Sequence, residues 1–479
     1  MIARKENSLF YGVDRVALLL YALIVLGGSL SIFSATYDSE SLTPFAFSHI
    51  YIKQVMWIGV AWVIALVVLL LDSRYFHMYA YPAYFAGLAL LVLTLIVGVE
   101  VNGAKAWLAF GPVSIQPVEF VKIATALAMA RVMSNYTFSL SRFGDLFKVG
   151  LIICLPLLII ILQNDTGSGL VLGSFLFVLY REGLNKWFCI PVLLIVALFI
   201  CSFILSPVTL LVLIILVCTL SEAMMSGQWR SRLIYLATIG FLTLLLTLLG
   251  HLLWPGSLTL YGVLLTVTLL SLVVVALYAY RQNLQHLYII VALFVGTMIF
   301  LPTTNLLFDK LQPHQQNRIR IFLGVLEDPM DRGYNVNQSK IAIGSGGLFG
   351  KGLLEGTQIK YGFVPEHHTD FIFCTVGEEW GFVGAMVLLS LFCLLIFRLM
   401  RMGERQAEPF GRVYCYCVAA ILLFHVLVNV GMTIGLMPVM GIPLPLVSYG
   451  GSSLLAFTLM IFIAIRLDAS TRQFSPQYY

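Results

Sequence analysis

One apolar stretch follows another along almost the whole chain, each about 18 to 25 residues long, the length needed to cross a hydrocarbon core. Candidate spans run over 15–35, 52–71, 78–98, 116–133, 147–163, 168–181, 187–205, 207–222, 233–253, 258–280, 286–304, 371–397, 413–434 and 446–466. The stretches do not alternate polar and apolar residues, which argues against an outer-membrane barrel. Only 11% of the 479 residues are charged and 60% are hydrophobic, whereas a soluble domain carries roughly 25% charged residues. The expected fold is an all-α polytopic membrane protein of about fourteen transmembrane helices, forming one domain over 1–479. The segments near 116 and 168 are short or polar, so they are expected among other helices rather than against lipid.

The basic residues set an orientation. With Arg4 and Lys5 on the cytoplasmic side, alternation places Arg74, Arg131, Arg142, Lys148, Arg181, Lys186, Arg230, Arg232 and Arg281 on that side too. The same count puts Arg398, Arg401, Arg405, Arg412, Arg466 and Arg472 inside, while the opposite short connections lack Lys and Arg, as the positive-inside rule requires. Both termini are therefore expected in the cytoplasm, and the polar segments 99–115 and 305–370 outside. A net charge of +5 gives no reason to expect a nucleic-acid partner. Met1 to Asn7 is basic and polar, and no small-residue cleavage site follows the first apolar run, so no cleaved signal peptide is expected. The eight cysteines lie in or at the ends of apolar stretches without metal-ligand spacing and read as small apolar fillers.

Polar residues inside such a chain are costly and call for a reason. Glu119 and Lys122 lie three apart on one helix face. They form either a self-neutralising packing pair or a lysine that meets a phosphate with Glu119 holding it. Trp107 suits an interfacial anchor, and Asp165 suits a helix cap. The run from Gly344 to Gly352 lacks the Walker spacing. It reads as a tight irregular turn, with an anionic headgroup on its backbone N–H groups as the alternative. Gly441 to Ser453, with two prolines, then glycines and serines, makes an irregular helix start that is buried or lines a cavity. His367 and His368 are adjacent, would diverge on a helix, and do not suit a shared metal.

Asp370 stands where the long polar segment runs into an apolar helix, with Glu366 four residues before it and Glu378 and Glu379 just after. Partial desolvation favours a carboxylate that takes up protons, which suits a general base. The rival reading is a helix N-cap.

Taken together these motifs resemble the SEDS family of cell-wall polymerases, the RodA and FtsW group. The matching pieces are Gly103-Ala-x-x-Trp107, Gln116-Pro-x-Glu119-x-x-Lys122, Gln163-x-Asp165-x-Gly167 and His314-Gln-Gln-x-Arg318. They continue with Gly346-Gly-Leu-x-Gly-Lys-Gly352, Pro365-Glu-x-x-Thr369-Asp-Phe-Ile-Phe373, Gly377-Glu-Glu-x-Gly381 and Pro443-Leu-Pro-x-x-Ser448-Tyr-Gly-Gly-Ser-Ser453. Val118 and Asn164 stand where the family usually has serine and proline. The His314 and Gly356-Thr-Gln358 stretches are closer to RodA than to FtsW.

The resemblance implies glycan polymerisation from lipid II at the outer face of a bacterial inner membrane, for cell elongation. A division polymerase or a lipid II flippase is the alternative. Asp370 matches the family's essential aspartate and is the expected base. Trp107, Glu119, Lys122, Asp165, Arg318, Glu366, Thr369 and Ser448 are the expected substrate contacts, with Arg320 a further basic candidate. No metal ligand set is legible, although a divalent cation (Mg or Mn) could assist the leaving pyrophosphate. Expected partners are lipid II, membrane lipids, a class B penicillin-binding protein and elongation proteins such as MreC and MreD. Family members have about ten spans, so 187–280 reads as an insertion of four.

Overall fold

The computed structural model describes residues 12–37, 49–101, 103–111, 113–184, 205–227, 229–253, 259–282 and 332–474, with the single positions 295 and 316. The expected spans 187–205 and 286–304 therefore lie almost wholly outside the described residues, and the other expected spans are helical. Nine helices among the described residues are long and apolar enough to cross a membrane. The chain forms two compact units, one from Met1–Lys186 with Gly324–Tyr479, the other from Trp187–Leu323.

The larger unit begins with α1 (Arg15–Thr36), α2 (Ile50–Leu70), α3 (Ser73–Met78) and α4 (Ala80–Val97). A small sheet follows, β1 (Val99–Val101), β2 (Ala104–Phe110) and β3 (Val113–Ile115), antiparallel in the order β1-β2-β3. The sequence suggested only a polar connector here, since strands this short carry too few alternating positions to register. Next come α5 (Pro117–Met133), α6 (Phe143–Leu162), α7 (Thr166–Leu172) and α8 (Phe175–Arg181). In the second unit, α9 (Pro207–Ser226), α10 (Trp229–Leu253) and α11 (Leu260–Gln282) pack through Leu211, Ile214, Ile239 and Leu264. The larger unit resumes with α12 (Arg332–Ser345), α13 (Thr357–Lys360), α14 (Ile372–Glu404), α15 (Pro409–Thr433) and α16 (Gly451–Phe474).

Apolar residues form these helices because only a segment that satisfies its own backbone hydrogen bonds is stable in lipid. The burial pattern sorts them. Helices α5 and α15 are buried along nearly their whole length, which explains how α5 can carry a charged pair. Helices α2, α4 and α6 expose broad apolar faces, with Val63, Ile96 and Leu158 more than half exposed, as lipid-facing helices do.

The described part of the expected outer loop is ordered rather than irregular. Helix α14 breaks at Gly381, whose φ of 66° and ψ of −163° lie outside the helical region. A break frees backbone groups that a buried segment must satisfy elsewhere. Lys351 N–H donates to Glu378 O and Gly352 N–H to Glu379 O, both at 3.0 Å. In return Phe382 N–H donates to Gly347 O at 2.9 Å and Val383 N–H to Leu348 O at 3.0 Å. Contact this close excludes side chains, for a Cβ on Gly346 would lie 2.0 Å from Gly377 O, and one on Gly350 2.0 Å from Glu379 O. The glycine run is thus a backbone clamp on the broken helix, in keeping with the tight-turn reading.

At the other end of α1, Asp14 caps the helix by accepting from Ala17 N–H at 3.1 Å. Its second oxygen accepts from Arg398 at 2.8 Å, Arg405 at 2.7 Å and Arg472 at 3.1 Å, gathering α1, α14 and α16. Burial pushes the Asp14 carboxyl up, but hydrogen bonds from Arg405, Ala17 and Arg398 outweigh it and hold the group below its ordinary value. A depressed folded-state value means a stabilisation present above the unfolded pKa and lost as pH falls through the folded one. Asp14→Asn keeps the cap but removes the charge, and is expected to cost ~1–3 kcal/mol at neutral pH. The difference from the parent protein should shrink below about pH 4 in thermal unfolding in detergent.

Candidate functional site

The turn carrying Asp370 lies at the end of α1 opposite the Asp14–arginine cluster. His367 places Nε2 2.9 Å from the carbonyl of Ala35, near the last residue of α1, and Nδ1 2.8 Å from Val364 O. Helix α1 has 22 residues, so the two ends are ~30 Å apart at 1.5 Å per residue.

The turn is tight. Glu366 adopts φ 55°, a left-handed conformation rare for a non-glycine residue. Its carbonyl accepts from Thr369 N–H at 3.1 Å and Phe371 N–H at 3.2 Å, which folds the chain back on itself. Thr369 Oγ1 lies 2.8 Å from Glu366 Oε2, 3.1 Å from Glu366 O and 3.2 Å from Asp370 Oδ1. A hydroxyl has one proton to donate, so three acceptors compete for it and Thr369 sits between the two carboxylates. Asp370 itself is half-buried. The N-cap of α14 is Phe371, and it makes no side-chain capping bond, so Asp370 does not hold the capping position.

A second segment backs the turn. Tyr449 N–H donates to His368 O at 2.9 Å. Burial, then the charge of neighbouring His367, holds the His368 imidazole below its ordinary value. Ser448 is buried, and its Oγ accepts from Leu444 N–H at 2.8 Å, so this hydroxyl shapes the turn before α16.

The remaining expected residues sit in neighbouring layers. Asp165 caps α7 by accepting from Ser168 N–H at 3.1 Å, and its other oxygen accepts from Gln116 Nε2 at 3.0 Å. Gly167 abuts Met440, whose carbonyl oxygen would lie 2.4 Å from an added Cβ. Asn164 has φ 60°, which a proline fixed near −65° could not adopt. Trp107 lies on β2, half-buried and paired in register with Val99. Arg318 and Arg320 lie outside the described residues.

Lys122 and Glu119 pair as their spacing suggested, at 2.8 Å, and Lys122 has no exposed side-chain surface. Their third member comes from a distant helix: His425 Nε2 is 3.0 Å from Lys122 Nζ, and His425 Nδ1 is 3.2 Å from Pro443 O. An ammonium only donates, so Nε2 accepts and Nδ1 carries the proton toward Pro443. In this arrangement Lys122 is turned inward, away from any surface ligand. One helical turn on, Asn429 Nδ2 donates to Asp370 O at 2.7 Å and Ile442 O at 2.8 Å. Nothing in the local sequence marks Asn429, because its partners lie 59 and 13 residues away, outside its own helix.

No group of three or more His, Cys, Asp or Glu among the described residues could hold a metal ion. The described cysteines are free thiols.

Comparison with known proteins gives a consistent picture. The model of the family described as cell cycle protein FtsW/RodA/SpoVE matches residues 14–214 and 207–473. The chain is 34% identical over 476 residues to the peptidoglycan glycosyltransferase RodA of Treponema pallidum, covering 96% of this chain and 98% of that one. It is 29% identical to the peptidoglycan glycosyltransferase MrdB of Escherichia coli K12, over 92% of this chain and 90% of the other. Among solved structures, one described as showing coordination of polymerization and crosslinking by a peptidoglycan synthase complex aligns with a TM-score of 0.59 and 26% identity. It covers 96% of this chain and 98% of its own. The crystal structure of Thermus thermophilus rod shape determining protein RodA shares the fold, with a TM-score of 0.55 at 24% identity, over 96% of this chain and 97% of that one. The chain is a multi-pass membrane protein that belongs to the FtsW/RodA/SpoVE family.

Proposed function

We infer that this protein is a peptidoglycan glycosyltransferase that polymerises glycan strands from lipid II for cell elongation. The observation that carries the reading is the Asp370 turn, a half-buried carboxylate held by its own backbone and two neighbouring segments at one end of the bundle. Near full-length similarity to proteins named peptidoglycan glycosyltransferase supports the same reading. Asp370 takes the proton of the acceptor's GlcNAc 4-hydroxyl, and the oxygen attacks the anomeric carbon of the donor glycan. Undecaprenyl pyrophosphate then leaves with the bonding pair. Glu366 and Thr369 flank the base and contact the sugars. Trp107 and Asp165 are further substrate contacts, while the buried Ser448, Glu119 and Lys122 support the site from within; the expected contact of Arg318 lies outside the described residues.

On the positive-inside reading the Asp14–arginine end is cytoplasmic with both termini, so the Asp370 end faces outward in a bacterial inner membrane. A class B penicillin-binding protein supplies the crosslinking step, and proteins such as MreC and MreD are further partners. A divalent cation (Mg or Mn) would assist the departure of the pyrophosphate. Segment 187–280 is, on this reading, an insertion of about four spans beyond the family's usual ten. Relatives named FtsW, such as that of Thiomicrospira cyclica at 28% identity, keep a division role as the second reading.

The test is polymerisation of purified lipid II by the purified protein, alone and with its transpeptidase partner. Glycan chains longer than the disaccharide are expected. Lipid II translocation in proteoliposomes without any polymer would replace this reading with transport.

A further inference from the structure

Helix α15 carries His425, Asn429 and Thr433 at four-residue intervals on one buried face. Together they fasten three pieces of chain. His425 meets Pro443 O, Asn429 bridges Asp370 O and Ile442 O, and Thr433 O accepts from Ser339 of α12 at 2.9 Å. Asn429 is the member that reaches the Asp370 turn. It is fully buried, and its Oδ1 is buried without a hydrogen-bond partner among the described residues. An orphaned acceptor is unfavourable, and an apolar residue of similar shape would remove it. The arrangement makes sense only if the two N–H donors are what the position requires. Both targets are carbonyl oxygens, and a neutral amide satisfies two acceptors from one atom without burying a charge.

We propose that Asn429 is a positioning residue that fixes the Asp370 turn to the 442–449 segment, so that the two move as one body. The bond from Tyr449 N–H to His368 O is the second point of attachment between them. Leu446, at φ 64°, and Ser448 Oγ on Leu444 N–H stiffen the partner segment. Asn429 therefore acts through the backbone of Asp370 and touches no substrate. The catalytic consequence rests on the glycosyltransferase reading, but the mechanical one does not.

Two variants and two readouts test it. Asn429→Leu keeps the branched outline and removes both donors, whereas Asn429→Gln keeps the amide on a longer arm. In lipid II polymerisation, Asn429→Leu should lower kcat about 10- to 100-fold, the scale of a slightly misplaced catalytic group, with KM changed less than about threefold. Asn429→Gln should recover part of the loss. In hydrogen–deuterium exchange, Asn429→Leu should speed exchange in 366–374 and 442–449 together, leaving the 50–70 helix unchanged. An unaltered kcat, exchange faster in only one segment, or exchange raised uniformly through the protein would each overturn the proposal. If the parent protein makes no polymer, the glycosyltransferase reading fails, and the exchange experiment still decides the coupling.

Discussion

Asp370→Asn is expected to lower the rate of lipid II polymerisation by about 10²- to 10⁴-fold, the usual contribution of a positioned general base. The folded protein should be almost unchanged. Asparagine keeps the shape of aspartate, can accept from Thr369 Oγ1 as Oδ1 does at 3.2 Å, and leaves the backbone carbonyl that Asn429 holds at 2.7 Å untouched. What it loses is the ability to take a proton. This makes the substitution discriminating, because asparagine serves about as well as aspartate in a cap or turn. A purely structural Asp370 would thus give a variant with both normal rate and normal stability. The predicted pattern is a collapsed rate with a thermal midpoint within about 2 °C of the parent, a shift of order 0.5 kcal/mol. Asp370→Glu should fall between, since the carboxylate survives but sits one methylene further out.

Much of this site was legible in the chain, and what was hidden has a common physical cause. Asp370 stood out because a carboxylate at the mouth of an apolar helix is expensive, and Glu119 with Lys122 because a three-residue spacing places them on one face. Both are local signals. His425 completes the Lys122 pair from 303 residues away, and no periodicity links the two. The same holds for Asn429, which looks like an ordinary polar residue in an apolar helix until Asp370 and Ile442 are seen against it. The break at Gly381 was hidden differently. Glycine inside a helical pattern is often tolerated, and only the opposing Gly347 to Gly352 backbone reveals why this helix opens. Composition did set the class of fold, because the apolar stretches are long enough to stand as helices on their own.

Glu378→Ala is expected to cost ~3–5 kcal/mol of folded-state stability, as for breaking a buried ion pair from one side. Its side chain has no exposed surface and collects five donors. Oε1 accepts from Lys351 Nζ at 2.6 Å, Gln358 N–H at 3.0 Å, Thr357 Oγ1 at 3.2 Å and Ser345 Oγ at 3.5 Å, and Oε2 accepts from Ile359 N–H at 3.2 Å. Removing the carboxylate strands an ammonium that is only about a quarter exposed, together with two backbone N–H groups. Glu378→Gln keeps the shape and the contacts of one oxygen but not the charge, and should lose ~1.5–3 kcal/mol. Adding Lys351→Met to Glu378→Gln should restore part of that, because the stranded charge disappears with it. The measurement is unfolding in detergent, where the alanine variant should melt about 5–10 °C below the parent. The effect bears on the site because the same carboxylate ties 351–359 to the first turns of α14, directly after the Asp370 turn. If Glu378 were instead an acid or base of the reaction, the glutamine variant would lose activity at unchanged stability. A glutamine protein that melts with the parent would therefore overturn the structural role argued here.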